Sequence, residues 1–114
     1  MTDEETRLNR VGAEICRVVL GHDLRIMDSG PEIYTEGEWT NFDPATNPTH
    51  NAMVMETFDN WIVSKQKSEF RKGRIYTCTI WLGVAEWFIG QADTEVLARA
   101  RCYEKVWEAE KGER

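Results

Sequence analysis

Histidine is nearly absent from this chain: His22 and His50 are the only two in 114 residues. Neither has a second ligand candidate close by in the sequence, so a zinc site of ordinary type is not expected. Cysteine is also scarce. Cys16, Cys78 and Cys102 are odd in number, and no two share a C-x-x-C spacing. Each falls among apolar neighbours, the setting of a small buried hydrophobe, and an odd thiol would be a hazard in an oxidising compartment. A reduced protein of the cytoplasm is expected. No apolar run approaches the ~18 residues of a membrane span, and the start, Met-Thr-Asp-Glu-Glu, is acidic with no signal-peptide core. Gly-rich phosphate loops, G-x-S-x-G and H-E-x-x-H are all missing. Those absences argue against an enzyme and against any cofactor or metal.

What is present is aromatic and acidic. Twelve aromatic residues, five of them Trp, are ample for one core, since each buries ~150–250 Å². A single domain spanning 1–114 is expected. The formal charge of −6 disfavours direct binding to a nucleic-acid backbone. That charge is uneven. Residues 28–43 carry Asp28, Glu32, Glu36, Glu38 and Asp43 with no basic residue, whereas residues 65–74 net +4, leaving −10 for the remainder.

Periodicity then places the elements. Leu8, Val11, Ile15, Val18 and Val19 form one stripe of a helix over about 3–20, which Thr2 or Asp3 can cap and Gly21 can end. Residues 22–47 read as irregular, with turn signals at Ser29-Gly30-Pro31, Glu36-Gly37 and Asp43-Pro44 and a strand somewhere within 32–42. Asn47-Pro48 starts a second helix, which the spacing of Val54, Met55, Phe58, Trp61 and Ile62 carries to about Val63. A basic linker follows, with Lys72-Gly73 as its turn and Phe70 in a short extra strand. Residues 74–82 and 86–90 alternate as a hairpin that is apolar on both faces, so it must be covered twice. A third helix runs over about 94–111, capped by Asp93 or Thr94. The expected class is α+β: a small antiparallel sheet, covered by three helices in a three-layer α/β/α sandwich.

Two surfaces stand out. Glu32, Tyr34, Glu36, Glu38, Trp39, Phe42 and Asp43 form an acidic, aromatic loop, and exposed Tyr and Trp are preferred interface anchors. Lys65, Lys67, Arg71, Lys72 and Arg74 form a basic cluster that suits an anion.

With these elements placed, the chain resembles the small phage proteins of the ABA-sandwich domain family. The resemblance runs through Leu8-Asn-Arg-Val-Gly-Ala-Glu-Ile15, Asn41-Phe-Asp-Pro-Ala-Thr-Asn-Pro-Thr-His-Asn-Ala-Met-Val-Met-Glu56, the Trp-bearing hairpin and Ala92-Asp-Thr-Glu-Val-Leu-Ala-Arg-Ala-Arg-Cys-Tyr103. It implies a bacteriophage or prophage origin and a helix–sheet–helix layout, and it implies no catalytic residues. The acidic loop and the basic linker lie outside the family's pattern, so a function particular to this chain is expected there. The leading expectation is a non-enzymatic phage accessory protein in the cytoplasm of a bacterial host. It would inhibit a host defence protein, of the anti-CRISPR or another anti-defence type, by docking the acidic loop on a basic surface. The alternatives are sequestration of an anionic nucleotide by the basic cluster and a structural or regulatory phage role. No membrane partner is expected, and a homodimer is compatible with all three.

Overall fold

The computed structural model describes residues 2–67 and 74–112. The first helix, α1 (Asp3–Leu20), is bounded by its own chemistry. The Thr2 hydroxyl accepts from the Glu5 N–H at 3.1 Å, and the Glu5 carboxylate accepts in return from the Thr2 N–H at 3.4 Å. The two bonds satisfy donors that a helix start leaves free. At the other end Gly21 sits at φ +76°, a left-handed conformation that costs glycine nothing, and donates to the Arg17 carbonyl.

Residues 22–47, expected to be irregular with one strand, form a three-stranded antiparallel meander instead. Its strands are β1 (Leu24–Met27), β2 (Gly30–Thr35) and β3 (Glu38–Asn41), in that order. Two-residue turns join them, at Asp28-Ser29 and at Glu36-Gly37. Strands of four to six residues carry too few side chains for an alternation to show.

The second helix is shorter than its periodicity predicts. α2 (Pro48–Met55) is capped by the Asn47 side chain, which accepts from the Thr49 and His50 N–H groups. It stops where the Thr57 N–H and hydroxyl both take the Val54 carbonyl and the Phe58 N–H takes that of Met55. Trp61, Ile62 and Val63, bulky and β-branched residues that suit a pleated surface, then open a strand, β4 (Trp61–Lys67). It pairs antiparallel with β5 (Arg74–Leu82), which pairs with β6 (Glu86–Ala92). The expected hairpin is therefore present, and its third strand comes from the region assigned to the helix. The strand expected within 32–42 belongs to the other sheet. The proposed Lys72-Gly73 turn and Phe70 strand fall outside the described residues. α3 (Glu95–Gly112) closes the order.

The layering also differs from a sheet between helices. α3 lies on one face of the β4–β5–β6 sheet, and α1 packs against α3, α2 and the β1–β3 meander. Helices therefore sit between two sheets. Cys78 and Ile80 point at α3 and are fully buried, while Ile62, Trp87 and Ile89 on the opposite face stay exposed. Among the described residues no helix covers that face.

α1 and α3 run side by side in the same direction. Arg101 meets Glu4 at 2.9 Å and Arg7 meets Glu104 at 2.5 Å. These pairs orient the helices more than they stabilise them, because exposed ion pairs contribute only about 0–1 kcal/mol. The joint itself is buried. Tyr103, with no exposed surface, donates its hydroxyl proton to the Leu8 carbonyl at 2.7 Å. The Asn51 amide donates to the Pro44 and Val96 carbonyls at 3.0 and 3.1 Å, tying α2 to the start of α3. Asn9 accepts from the Ala45 N–H at 2.9 Å. Buried amides of this kind satisfy backbone groups that no ladder reaches.

Candidate functional site

The seven residues of the expected acidic surface separate into two groups. Phe42 is fully buried and stacks on His50 with ring centroids 5.1 Å apart. Asp43 is half-buried, and its backbone builds the loop before α2. Its N–H donates to His50 Nδ1 at 3.0 Å, and its carbonyl accepts from Thr46 and Asn47. Both are framework rather than surface, because an apolar ring flanked by a helix cap is pulled under the chain. Glu32 is also neutralised, its carboxylate lying 2.6 Å from the Arg25 guanidinium.

The remaining four, Tyr34, Glu36, Glu38 and Trp39, share the β2–β3 hairpin. Tyr34 and Trp39 face each other across the register, 5.4 Å apart and edge to face. Arg25 reaches over from β1, 4.3 Å above the Trp39 ring while held by Glu32. The stacked guanidinium fixes the indole, yet Tyr34 and Trp39 remain 41% and 37% exposed. Glu36 is exposed at the turn that ends this platform, Glu38, paired with Thr35, is exposed on the opposite face of the hairpin, and the exposed Asp23 lies beside Tyr34, whose N–H donates to the Asp23 carbonyl. None of the three carboxylates forms an ion pair among the described residues. Sequence reasoning missed Arg25 and Asp23. The available signal was the apolar Leu24, Ile26 and Met27 interrupted by Arg25 just before the Asp28-Ser29 turn.

The tip of the hairpin is strained. Glu36 has φ +52° and Gly37 φ +86°. A two-residue hairpin turn with both central residues at positive φ prefers Asn-Gly or Asp-Gly. A glutamate held there costs about 1 kcal/mol in backbone energy.

The basic alternative is brought together in part. Lys65 on β4 and Arg74 on β5 are exposed, and backbone pairing puts Lys67 opposite Arg74 and Lys65 opposite Tyr76. The Lys65 ammonium lies 5.8 Å from the Tyr76 ring centroid. Arg71 and Lys72 lie outside the described residues.

A cleft of about 540 Å³ opens where the C-terminal turns of α1 and α3 meet the α2–β4 linker and the β5–β6 turn. Its walls are Ile15, Val18, Phe58, Leu82 and Trp107, and Arg17, Lys111, Asp59 and Glu110 balance the charge at its rim. Its wall from the linker was not foreseen, because residues 57–60 were assigned to the helix interior.

No family model matches the chain, and no curated protein matches it. Among the described residues no group of His, Cys, Asp and Glu is arranged to hold a metal ion, and no helix is long and apolar enough to cross a membrane. The three cysteines are buried and free. Burial pushes the Cys16 thiol up to about 12. A hydrogen bond with Cys102, together with burial, holds Cys78 protonated.

His50 carries a pH dependence. Burial holds its imidazole below the ordinary value of 6.5, against the opposing charge of Asp43. The unfolded chain then binds the proton more readily than the folded one, so stability should fall as pH drops through 6.5 toward the lower folded value. Melting temperatures taken between about pH 5 and 7 should decline toward the acid side, and His50→Gln should flatten that slope. An unchanged slope in the variant would place the dependence on another group.

Proposed function

We propose that this chain acts by binding rather than by catalysis, and that the β2–β3 hairpin docks on a basic protein surface. The observation that carries the reading is Glu36. The turn requires positive φ at this position, yet it is filled by a glutamate rather than the Asn or Asp that would hold it with less strain, which puts a carboxylate at the exposed end of the Tyr–Trp platform. Strain of this kind collects at sites that recognise something. Asp23, Glu36 and Glu38 give a partner charge to meet, and Tyr34 and Trp39 give it an anchor. In this reading the chain is an accessory inhibitor of a host defence protein in the cytoplasm of a bacterial cell; the resemblance to phage ABA-sandwich proteins implies the phage origin, and the acidic, aromatic surface supports the inhibitory role.

Glu36→Asn separates stability from binding, because asparagine tolerates positive φ and carries no charge. The melting temperature should rise, by a stabilisation of up to about 1 kcal/mol, while capture of a basic protein from host lysate weakens. Neutralising Asp23, Glu36 and Glu38 together should slow association with that protein and flatten its salt dependence, with melting unchanged or raised. Neutralising Lys65 and Arg74 should leave capture intact. The Lys65 ammonium beside the Tyr76 ring, with the exposed Arg74 two residues along β5, supports the second reading, an anionic nucleotide held by charge and stacking. Calorimetry against cyclic nucleotides that detects binding, lost on neutralising Lys65 and Arg74 but kept in the acidic triple variant, would replace the first reading with the second.

A further inference from the structure

The open face of the β4–β5–β6 sheet has ten positions, and none is charged. Five are Ile62, Ile75, Trp81, Trp87 and Ile89, and the other five are serine, threonine or glutamine. In a chain that is 30% charged with a net −6, an uncharged face of this extent is a marked local departure. Its aromatic end is ordered, with Trp81 and Trp87 opposite each other and ring centroids 6.0 Å apart. Ile62, Trp87 and Ile89 are exposed, Ile62 at 57% and Trp87 at 64%, while Ile75 and Trp81 are half-buried.

We infer that this face binds a second copy of the chain, sheet against sheet, in a two-fold dimer. A two-fold contact sets every residue of the patch against the same patch, so a charge near the axis would meet its own image. An uncharged face complements itself, whereas the acidic remainder of the molecule repels its copy. Antiparallel sheets pack face to face about 10 Å apart through such rows of Ile, Trp and Thr.

The sheet's edges are less open to the same partner. On β6, Arg101 donates to the Gln91 carbonyl at 2.8 Å and Lys105 donates to that of Ile89, so α3 occupies outward-facing carbonyls of that edge. On β4 the edge carries Lys65 and Lys67, and lysine on an edge strand discourages strand addition. The face is what remains. At a strand spacing of about 4.8 Å and a rise of about 3.3 Å per residue it measures roughly 14 by 25 Å in plan, about 350 Å² per copy, which is below the roughly 800 Å² per partner of a standard interface, so a weak dimer dissociating toward the millimolar range is expected.

Sedimentation equilibrium of the whole chain, over a dilution series from micromolar to millimolar, tests this. The wild-type mass should move from that of the 13.2 kDa chain toward twice that value as concentration rises. Ile62→Lys and Trp87→Lys, both at exposed positions, should each raise the dissociation constant about 100-fold or more and leave the melting temperature of the dilute protein near that of wild type. Asp23→Asn with Glu36→Gln should leave the dimer intact. A wild-type chain monomeric throughout the series would overturn the inference. So would a dimer that survives both lysine substitutions.

Discussion

Replacing Gly90 by alanine should destabilise the protein more than any other single-atom-scale change. Gly90 lies in β6 opposite Cys78, on the face that carries α3. A Cβ built there would stand 2.4 Å from the Cys102 nitrogen and 2.5 Å from the Ala98 carbonyl oxygen. The obstacles are backbone atoms of a helix, so no rotamer change can clear them, and α3 would have to lift from the sheet. Overpacking a core commonly costs 1–3 kcal/mol; a clash with two backbone atoms should reach about 3 kcal/mol or more, which corresponds to a fall of roughly 12 °C or more in Tm. Circular dichroism melts would read it. A Gly90→Ala chain melting within a few degrees of wild type would mean that α3 does not approach the sheet this closely. Shortening a neighbouring side chain should not rescue the variant, since the three nearest atoms all belong to the α3 backbone. Gly90 is thus required for space rather than for backbone conformation.

That contact explains much of what the sequence could and could not reveal. α1 was readable because its stripe, its Thr2 capping box and Gly21 agree. β5 and β6 were readable because Tyr76, Cys78 and Ile80 alternate with Thr77, Thr79 and Trp81 over nine residues. α2 was overextended because Phe58, Trp61 and Ile62 continue a helical spacing while their side chains suit a strand. Pairing of Trp61 with Ile80 and Val63 with Cys78, contacts made with residues far along the chain, decided between the two. The meander was hidden because its strands are held by cross-strand partners, Arg25 with Glu32 and Tyr34 with Trp39, that no local pattern links. The acidic site was visible as composition and invisible as geometry. Nothing local to Phe42 or Glu32 shows that the first is buried and the second neutralised.

Ile80→Ala and Trp81→Ala, neighbours on one strand, should differ sharply. Ile80 has no exposed surface and lies between β4 and β6 on the α3 side. Truncating it leaves a cavity that surrounding helix and strands cannot fill, at a cost of about 2–5 kcal/mol. Trp81 points to the open face, half-buried against Trp87. Most of its ring is buried, but its removal opens a dent to solvent rather than an enclosed cavity, so in dilute protein the cost should fall below that of Ile80, at about 1–2 kcal/mol. The hairpin reads in isolation as apolar on both sides and would predict equal losses. Inequality is the signature of a sheet covered once by its own chain. Concentration then adds a second test. If a second copy covers the open face, binding stabilises the folded state by mass action, and the penalty of Trp81→Ala should grow with protein concentration while that of Ile80→Ala holds steady. Urea titrations at low and high concentration would resolve the two slopes. Equal losses in dilute protein would show the second face already covered within one chain, and the sheet would lie between helices after all.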